Sequence, residues 1–211
     1  MAPWLKSRWL PLLAGGGWAA LIAIGLAVLF RYQMSPGPGA FPPPKWPVES
    51  RITRASDRPT LILMLHPHCP CSRATVAELA ALMTRCQGLV RANVLFLKPA
   101  TSPADWEKTD LWDSAARLPD VAVSLDENGA EASRFHVSTS GQALLYDSAG
   151  ILLFSGGITA SRGHPGENAG RNALVTLLTC RTAATCRTAV YGCSLLNSNS
   201  ASNHGKLCCR N

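Results

Sequence analysis

The strongest signal in this sequence is LILMLHPHCPCSRAT, which runs from Leu61 to Thr75. An apolar run of strand length ends in a cluster of histidine and cysteine, and a helical pattern begins directly after it. Cys69 precedes Pro70, a favoured first helical residue, so the sequence places Cys69 at the helix cap. Unpaired backbone N–H groups and the macrodipole at a helix start favour a thiolate. The sequence therefore predicts an exposed, ionised thiol that acts as a nucleophile or a metal ligand.

The first part of the chain has the composition of a membrane anchor. Trp9 to Phe30 contains no charged residue, and as a helix it would span roughly 30 Å. Lys6 and Arg8 precede it, which predicts a cytoplasmic N-terminus of residues 1–8 and an anchor at 9–31. A cleaved signal peptide is the alternative. Both interpretations send the rest of the chain out of the cytoplasm.

Three further segments follow the anchor. Residues 32–47 are rich in proline and glycine, which predicts a semi-rigid spacer without a core of its own. Residues 48–179 suffice for one folded domain. Residues 180–211 form a basic tail that we expect to be partly disordered. Eight cysteines in an exported chain suggest disulfides, but the pairing of the late ones stays open; these are Cys180, Cys186, Cys193, Cys208 and Cys209.

The net charge of +7 does not predict a nucleic-acid partner. No Asp or Glu follows Glu167, so the positive excess is concentrated late in the chain, where no nucleic-acid motif occurs. A solvated tail explains this excess. No feature of the sequence predicts an oligomer.

The middle of the chain alternates strand and helix patterns. Apolar runs predict strands at 61–65, 93–97, 121–125, 143–146 and 151–154, the last two as a hairpin. Helical spacing and capping residues predict helices at 73–86, 102–117, 130–135 and 168–178. The order β-α-β-α-β-α-β-β-α predicts an α/β sandwich with a mixed sheet.

This order, with HPHC at the first strand–helix junction, resembles the thioredoxin fold, and specifically its membrane-tethered TlpA/ResA-like branch. DENGAEASRFHV (126–137) and QALLYDSAG (142–150) resemble the insert and the terminal hairpin of that branch. HPHCPCSRAT together with SGQALLYDSAGILLFSGGITASRGH is most similar to RedB-type thioredoxin-like proteins. The resemblance covers roughly residues 47–178. It implies thiol–disulfide exchange with protein dithiols and disulfides, without a cofactor.

Two positions depart from the thioredoxin pattern. Thioredoxins separate their two cysteines by two residues, whereas one residue separates Cys69 from Cys71, and Ser72 stands where the second cysteine belongs. Aligning the hairpin places Gly141 where the family has a cis-proline facing the thiols.

We nevertheless predict a catalytic set at the start of the helix. Cys69 would be the nucleophile, and Cys71 would resolve the mixed disulfide, stabilise the thiolate or simply pack as a small apolar residue. The Ser72 hydroxyl, three residues further on, could orient Cys69, and His68 could share a proton with it. A disulfide between Cys69 and Cys71 would require local unwinding of the helix.

Two loops are expected to face the substrate across the site. The first carries Ser140 and Gly141. The second, residues 161–166, carries His164 and should hang over Cys69, because the second hairpin strand returns to the thiol side of the sheet.

Two other hypotheses stay open. Cys69, Cys71 and His164, with His66 or His68, would form a soft sulfur–nitrogen set suited to Cu(I), or less well to zinc. Copper-delivery proteins of the Sco type use the same fold, although their cysteines are more widely spaced. A non-catalytic assembly factor would keep the fold without redox chemistry. Our principal prediction is a single-pass protein of the bacterial inner membrane, with a periplasmic thioredoxin-like domain that exchanges disulfides.

Overall fold

The computed structural model describes residues 4–182 and 185–195. The chain divides into two compact units between Ser35 and Pro36. The first contains one helix, α1 (Trp4–Gln33), and Pro11 lies inside it without ending it. Its portion Trp9–Gln33 is long and apolar enough to cross a membrane, with a mean hydropathy of 2.2.

The second unit contains five strands and four helices within the described residues. In chain order they are β1 (Thr60–Leu65), α2 (Pro70–Arg85), β2 (Arg91–Lys98), α3 (Asp110–Ala116), β3 (Val121–Glu127), α4 (Ala130–Arg134), β4 (Gln142–Tyr146), β5 (Leu152–Gly157) and α5 (Ala169–Cys180). The predicted order of strands and helices is confirmed.

The strands form one mixed sheet in the order β3-β2-β1-β4-β5. β1 pairs in parallel with β2, and β2 in parallel with β3, whereas β4 runs antiparallel to both β1 and β5. Every residue of the central strand β1 is buried, because helices or loops cover both faces of the sheet. The fold is the predicted thioredoxin-like sandwich, and the end of its central strand carries the cysteine cluster.

Two apolar layers flank the sheet. Leu61, Leu63 and Leu65 of β1 belong to the layer that contains the buried side chains of α2, α3 and α5. Ile62 and Met64 belong to the opposite layer, which contains the α4 region. The alternation follows from the two-residue period of a strand. α2 is thereby fixed against the sheet, with its first residues at the end of β1.

The helix predicted over 102–117 is too long. The structure has turns up to Thr109, which caps α3 at its start. Asp105 has a φ of +61°, a left-handed conformation that no regular helix contains. The helix therefore begins only after this interruption.

Residues 32–47 were predicted to be a spacer, but the part of this segment that lies in the second unit packs against the domain. The Trp46 ring makes edge contacts with Phe135 and Tyr146, each at 5.2 Å between ring centroids. The Leu152 N–H donates to the Pro44 carbonyl at 2.9 Å, and the Tyr146 hydroxyl donates to that of Pro43, also at 2.9 Å. The Trp46 side chain and the proline carbonyls that accept these hydrogen bonds make this segment part of the fold.

The tail of residues 180–211, which was predicted to be partly disordered, contains a folded part. We call residues 185–195 the strap. The Ser155 N–H donates to the Cys186 carbonyl at 3.0 Å, the Gly157 N–H to Ala189 at 3.2 Å, and the Leu195 N–H to Ser138 at 2.8 Å. The edge of β5 would otherwise present unpaired backbone groups, and the strap pairs with them. Residues 196–211, including the low-complexity run, lie outside the described residues.

Candidate thiol site

Cys69 is the N-cap residue of α2, with φ −87° and ψ 123°, and Pro70 follows it as the first helical residue. This is the position that the sequence predicts. The expectation of an exposed thiol is wrong, because Cys69 is only 4% exposed. The reason is a contact from the far end of the chain, which the pattern around Cys69 cannot reveal.

That contact is made by Cys193 of the strap. The Sγ atoms of Cys69 and Cys193 lie 2.8 Å apart, and both cysteines are free. The Ser140 N–H donates to the Cys193 carbonyl at 2.8 Å, and Arg162 donates to the carbonyl of Gly192 at 2.7 Å. From the sequence alone, Cys193 is one of five late cysteines with open pairing, and its place in the site could not be predicted.

Hydrogen bonds stabilise the thiolate of Cys69. Burial alone would raise the pKa of this thiol, because it disfavours the charged form. The thiol and backbone N–H of Cys193 and the backbone N–H groups of Ser72 and Cys71 outweigh burial and hold the pKa of Cys69 below its usual range. The hydrogen bonds from Cys193 of the strap contribute most to this lowering, and the N–H groups at the helix start add to it.

The two neighbouring thiols are held in the protonated form. Burial raises the pKa of Cys193 to about 12, together with its hydrogen bond to Cys69 and the charges of Cys69 and Cys71. Burial also raises the pKa of Cys71, and the charge of Cys69 adds to this effect. The Arg162 guanidinium opposes both shifts, and the Gly163 N–H opposes that of Cys71. The site therefore contains one favoured thiolate flanked by two protonated thiols.

Ser72 does not use its hydroxyl to orient Cys69. The hydroxyl donates to the His66 carbonyl at 2.9 Å and lies 2.9 Å from the Ser140 hydroxyl. Because a serine has one proton to donate, Ser140 is the donor in that second bond, and it accepts in turn from the His66 N–H at 2.9 Å. Ser72 contacts Cys69 through its backbone N–H and otherwise ties the end of β1 to the loop of Ser140.

Gly141 takes the place predicted for a cis-proline. Its φ is +90°, a conformation that glycine adopts without strain, and all peptide bonds among the described residues are trans. Its N–H donates to the Met64 carbonyl at 2.8 Å. A Cβ atom here would lie 2.9 Å from the Thr75 hydroxyl of α2. The backbone therefore passes close to the helix that carries the thiols.

His68 faces away from the predicted proton transfer. Its Nε2 lies 2.9 Å from the Trp106 carbonyl, and its ring lies 4.7 Å from the Trp106 ring. The His66 ring also packs on Trp106, at 5.3 Å between ring centroids, and lies 6.2 Å from the His68 ring. Burial, with the charge of His68, lowers the pKa of His66. Trp106 comes from the turns before α3, where the sequence predicted a helix. It forms a surface aromatic cluster beside Cys69.

The loop of residues 161–166 reaches the thiols through Arg162 and Gly163. His164 is exposed, and its Nδ1 lies 2.7 Å from the Arg162 carbonyl. Glu78 of α2 is buried and accepts hydrogen bonds from Asn168 and from the Arg171 guanidinium. These bonds anchor the end of the loop to the helix that carries Cys69.

The predicted copper set does not assemble. Within the part of the chain that the structure describes, no group of three or more His, Cys, Asp or Glu residues is arranged to hold a metal ion. His164 of the proposed set points to a backbone carbonyl of its own loop. The Cu(I) alternative stays a prediction.

No protein-family model and no curated protein matches this sequence. Among solved structures, an uncharacterized conserved protein from Geobacillus kaustophilus is similar with a TM-score of 0.55 and 20% identity, over 80% of this chain and 95% of that one. StoA from Bacillus subtilis has a TM-score of 0.43 and 14% identity, over 67% and 97%. A secreted Mycobacterium tuberculosis disulfide oxidoreductase homologous to E. coli DsbE has a TM-score of 0.39 and 13% identity, over 58% and 81%.

The similarity to the Geobacillus protein supports the fold alone. The domain has a thioredoxin-like fold, and three cysteines from two distant parts of the chain lie around the start of one of its helices.

Proposed function

We propose that this protein is a thiol–disulfide oxidoreductase whose nucleophile is Cys69 of the Cys69-Pro70-Cys71 motif. The observation that carries the proposal is the hydrogen bonding of Cys69 Sγ at the N-cap of α2, which favours the thiolate despite burial. Thiolates, and not thiols, attack disulfides. A thioredoxin-like scaffold that stabilises one thiolate beside two protonated thiols is suited to disulfide exchange.

The first step is an attack on a substrate disulfide. The Cys69 thiolate bonds to one substrate sulfur, the substrate S–S bond breaks, and the second substrate sulfur leaves as a thiolate that takes up a proton from water. Cys71 stabilises the attacking thiolate through its backbone N–H. We expect the loop of Ser140 and Gly141 and the loop of residues 161–166 to face the substrate. The reverse sequence oxidises a substrate dithiol.

We further propose that α1 anchors the chain in the inner membrane of a bacterium and that the domain lies in the periplasm. The apolar helix and its preceding basic residues support this topology. Cys180, an exposed free thiol at the end of α5, offers a test. A membrane-impermeant maleimide should label it in cells with a permeabilised outer membrane. Labelling only after the inner membrane is lysed would contradict the topology.

The activity is tested by the reduction of insulin disulfides with dithiothreitol as the electron source. The full chain in detergent should accelerate the reaction, and Cys69→Ser should lower the rate at least about 100-fold, because a hydroxyl cannot replace the thiolate. The matched control is Cys180→Ser, which removes a free thiol far from the site and should leave the rate unchanged. Equal rates for wild type and Cys69→Ser would overturn the proposal.

A further inference from the structure

We propose that Cys193 of the strap is the resolving cysteine, so that the redox-active disulfide joins Cys69 to Cys193 and not to Cys71. This inference rests on the proposed function, and it specifies which second thiol completes the exchange. It assigns a catalytic role to a residue that is 124 positions away from the nucleophile.

The two sulfur atoms are close enough to form a bond after a small movement. Cys69 Sγ and Cys193 Sγ lie 2.8 Å apart, less than 1 Å more than a covalent disulfide bond of about 2.05 Å. Cys69 is a cap residue in extended conformation, and Cys193 lies in the strap outside any helix or strand. A small movement of the strap therefore closes the bond without distorting a regular element.

Cys71 is less favourably placed. It is the second residue of α2, and although its thiol donates a hydrogen bond to Cys69, its backbone is fixed in the first turn of the helix. A bond from Cys71 to Cys69 would have to unwind the first turn of α2. That turn donates the N–H groups of Cys71 and Ser72 to Cys69 Sγ, so unwinding would remove the stabilisation of the nucleophile.

Several contacts hold Cys193 in its position beside Cys69. Its carbonyl accepts from the Ser140 N–H, and Arg162 holds the preceding carbonyl. A Cβ atom on Gly192 would lie 1.8 Å from the Ser140 carbonyl oxygen, so only glycine allows the strap to approach this closely. The strap therefore places Cys193 against the loop that thioredoxin-like proteins use opposite their thiols.

The electrostatics of the site determine when Cys193 becomes reactive. Before the reaction, burial, the bond to Cys69 and the charge of Cys69 keep Cys193 protonated. Once Cys69 is bonded to a substrate sulfur, it carries no charge, and the two contributions from Cys69 disappear. The Arg162 guanidinium still favours the Cys193 thiolate. The formation of the mixed disulfide thus activates the thiol that resolves it.

In the resolving step, Cys193 Sγ gives up its proton and attacks Cys69 Sγ, and the bond between Cys69 and the substrate sulfur breaks. The substrate leaves as a thiolate that takes up the proton from Cys193. Over both steps, the substrate disulfide gains two electrons and two protons and becomes a dithiol. The cysteine pair loses two electrons and becomes the Cys69–Cys193 disulfide.

The test uses glutathione disulfide as the substrate and the reduced full chain in detergent. The reaction is stopped with acid, free thiols are alkylated, and tryptic peptides are analysed by mass spectrometry. Residues 55–73 carry Cys69 and Cys71, and residues 188–206 carry Cys193 alone, so the two possible disulfides are distinguishable. The variants are Cys69→Ser, Cys71→Ser and Cys193→Ser, with Cys180→Ser as the control.

We expect the 55–73 peptide to be joined to the 188–206 peptide in wild type, in Cys71→Ser and in Cys180→Ser. In Cys193→Ser, glutathione should accumulate on Cys69 at least about tenfold above wild type, because no thiol can displace it. Circular dichroism should show the wild-type fold for Cys71→Ser and for Cys193→Ser. A fold lost in Cys193→Ser leaves the wild-type and Cys71→Ser peptides to decide the question.

Two results would overturn the inference in distinguishable ways. If Cys69 is joined to Cys71 in wild type and glutathione accumulates in Cys71→Ser but not in Cys193→Ser, the resolving thiol is Cys71 and the proposed function stands. If Cys69 acquires neither glutathione nor a partner in any variant, the proposed function fails as well.

Discussion

The start of α2 and the strap supply the two closest thiols of the site by different means. Cys69 owes its position to its own neighbours, because β1 ends at Leu65 and Pro70 begins the helix. Cys193 owes its position to residues far away in the sequence, among them Ser140 and Arg162. A short window of sequence therefore determines the position of Cys69. The position of Cys193 depends on the completed fold, so a substitution at a distant residue can displace it.

The largest effect on stability is expected at the anchor between α2 and the loop that follows β5. Glu78→Gln removes the counter-ion of Arg171, whose Nε already lacks a hydrogen-bond partner. Leaving that buried cation unpaired should cost roughly 3–5 kcal/mol. Urea unfolding of the full chain in detergent, followed by near-ultraviolet circular dichroism, measures the loss.

The control for this prediction lies on the same helix. Arg73→Gln breaks the pair with Asp110, in which both side chains are more than half exposed. Solvent screens such a pair, so its loss should change the free energy of unfolding far less. Equal losses in the two variants would show that Glu78 is not the anchor we describe.

The next largest effect is expected from a change in the strap that leaves all cysteines in place. Gly192→Ala pushes a methyl group into the Ser140 carbonyl and should destabilise the docked strap by about 1–3 kcal/mol. Glutathione should then accumulate on Cys69 as it does in Cys193→Ser. Gly39→Ala is the matched control, because a Cβ at that position meets open space. Normal resolution in Gly192→Ala would mean that strap docking does not position the second thiol.

A pair of substitutions at Cys193 separates thiolate stabilisation from resolution. Alanine removes the donor to Cys69 Sγ, whereas serine keeps an O–H at the same place. The pKa of Cys69 should therefore rise in Cys193→Ala, and the alkylation of Cys69 should require a higher pH than in Cys193→Ser. The pH dependence of the alkylation rate measures this, and both variants should still fail to resolve the mixed disulfide. Identical pH profiles for the two variants would show that the Cys193 thiol does not stabilise the Cys69 thiolate.

The smallest effect is expected from the charge of Arg162. Arg162→Gln keeps an N–H donor for the Gly192 carbonyl but removes the cation that favours the Cys193 thiolate. Resolution of the mixed disulfide should slow by about threefold. A tenfold change in rate would correspond to about 1.4 kcal/mol, so the expected contribution of this charge is smaller than that. Stopped-flow mixing with glutathione disulfide measures the rate. An unchanged rate would assign Arg162 a purely structural role.

The local half of this molecule could be predicted from its sequence. The apolar run of β1, the proline after Cys69 and the helical spacing of α2 each act over a few residues, so they identify the junction and its thiol. The same holds for the hairpin of β4 and β5, whose turn at Asp147 to Gly150 is apparent in the sequence. The fold class follows from the order of these elements.

The other half could not be predicted, for the same physical reason. The partner of Cys193 is 124 positions away, so a short window of sequence cannot tell that Cys193, and not Cys180 or Cys186, reaches Cys69. Trp106 was placed in a helix because the positive φ of Asp105 leaves no mark in the hydrophobic pattern. The burial of Cys69 is a consequence of the strap, and so it was missed together with it.

The most direct test of the account is an equilibrium titration of the full chain in glutathione buffers of graded redox poise. The alkylatable fractions of Cys69, Cys71 and Cys193 are measured by mass spectrometry at each poise. The account predicts that Cys69 and Cys193 become unreactive together along one two-electron curve, whereas Cys71 stays alkylatable. Loss of Cys69 together with Cys71, with Cys193 reactive throughout, would contradict it.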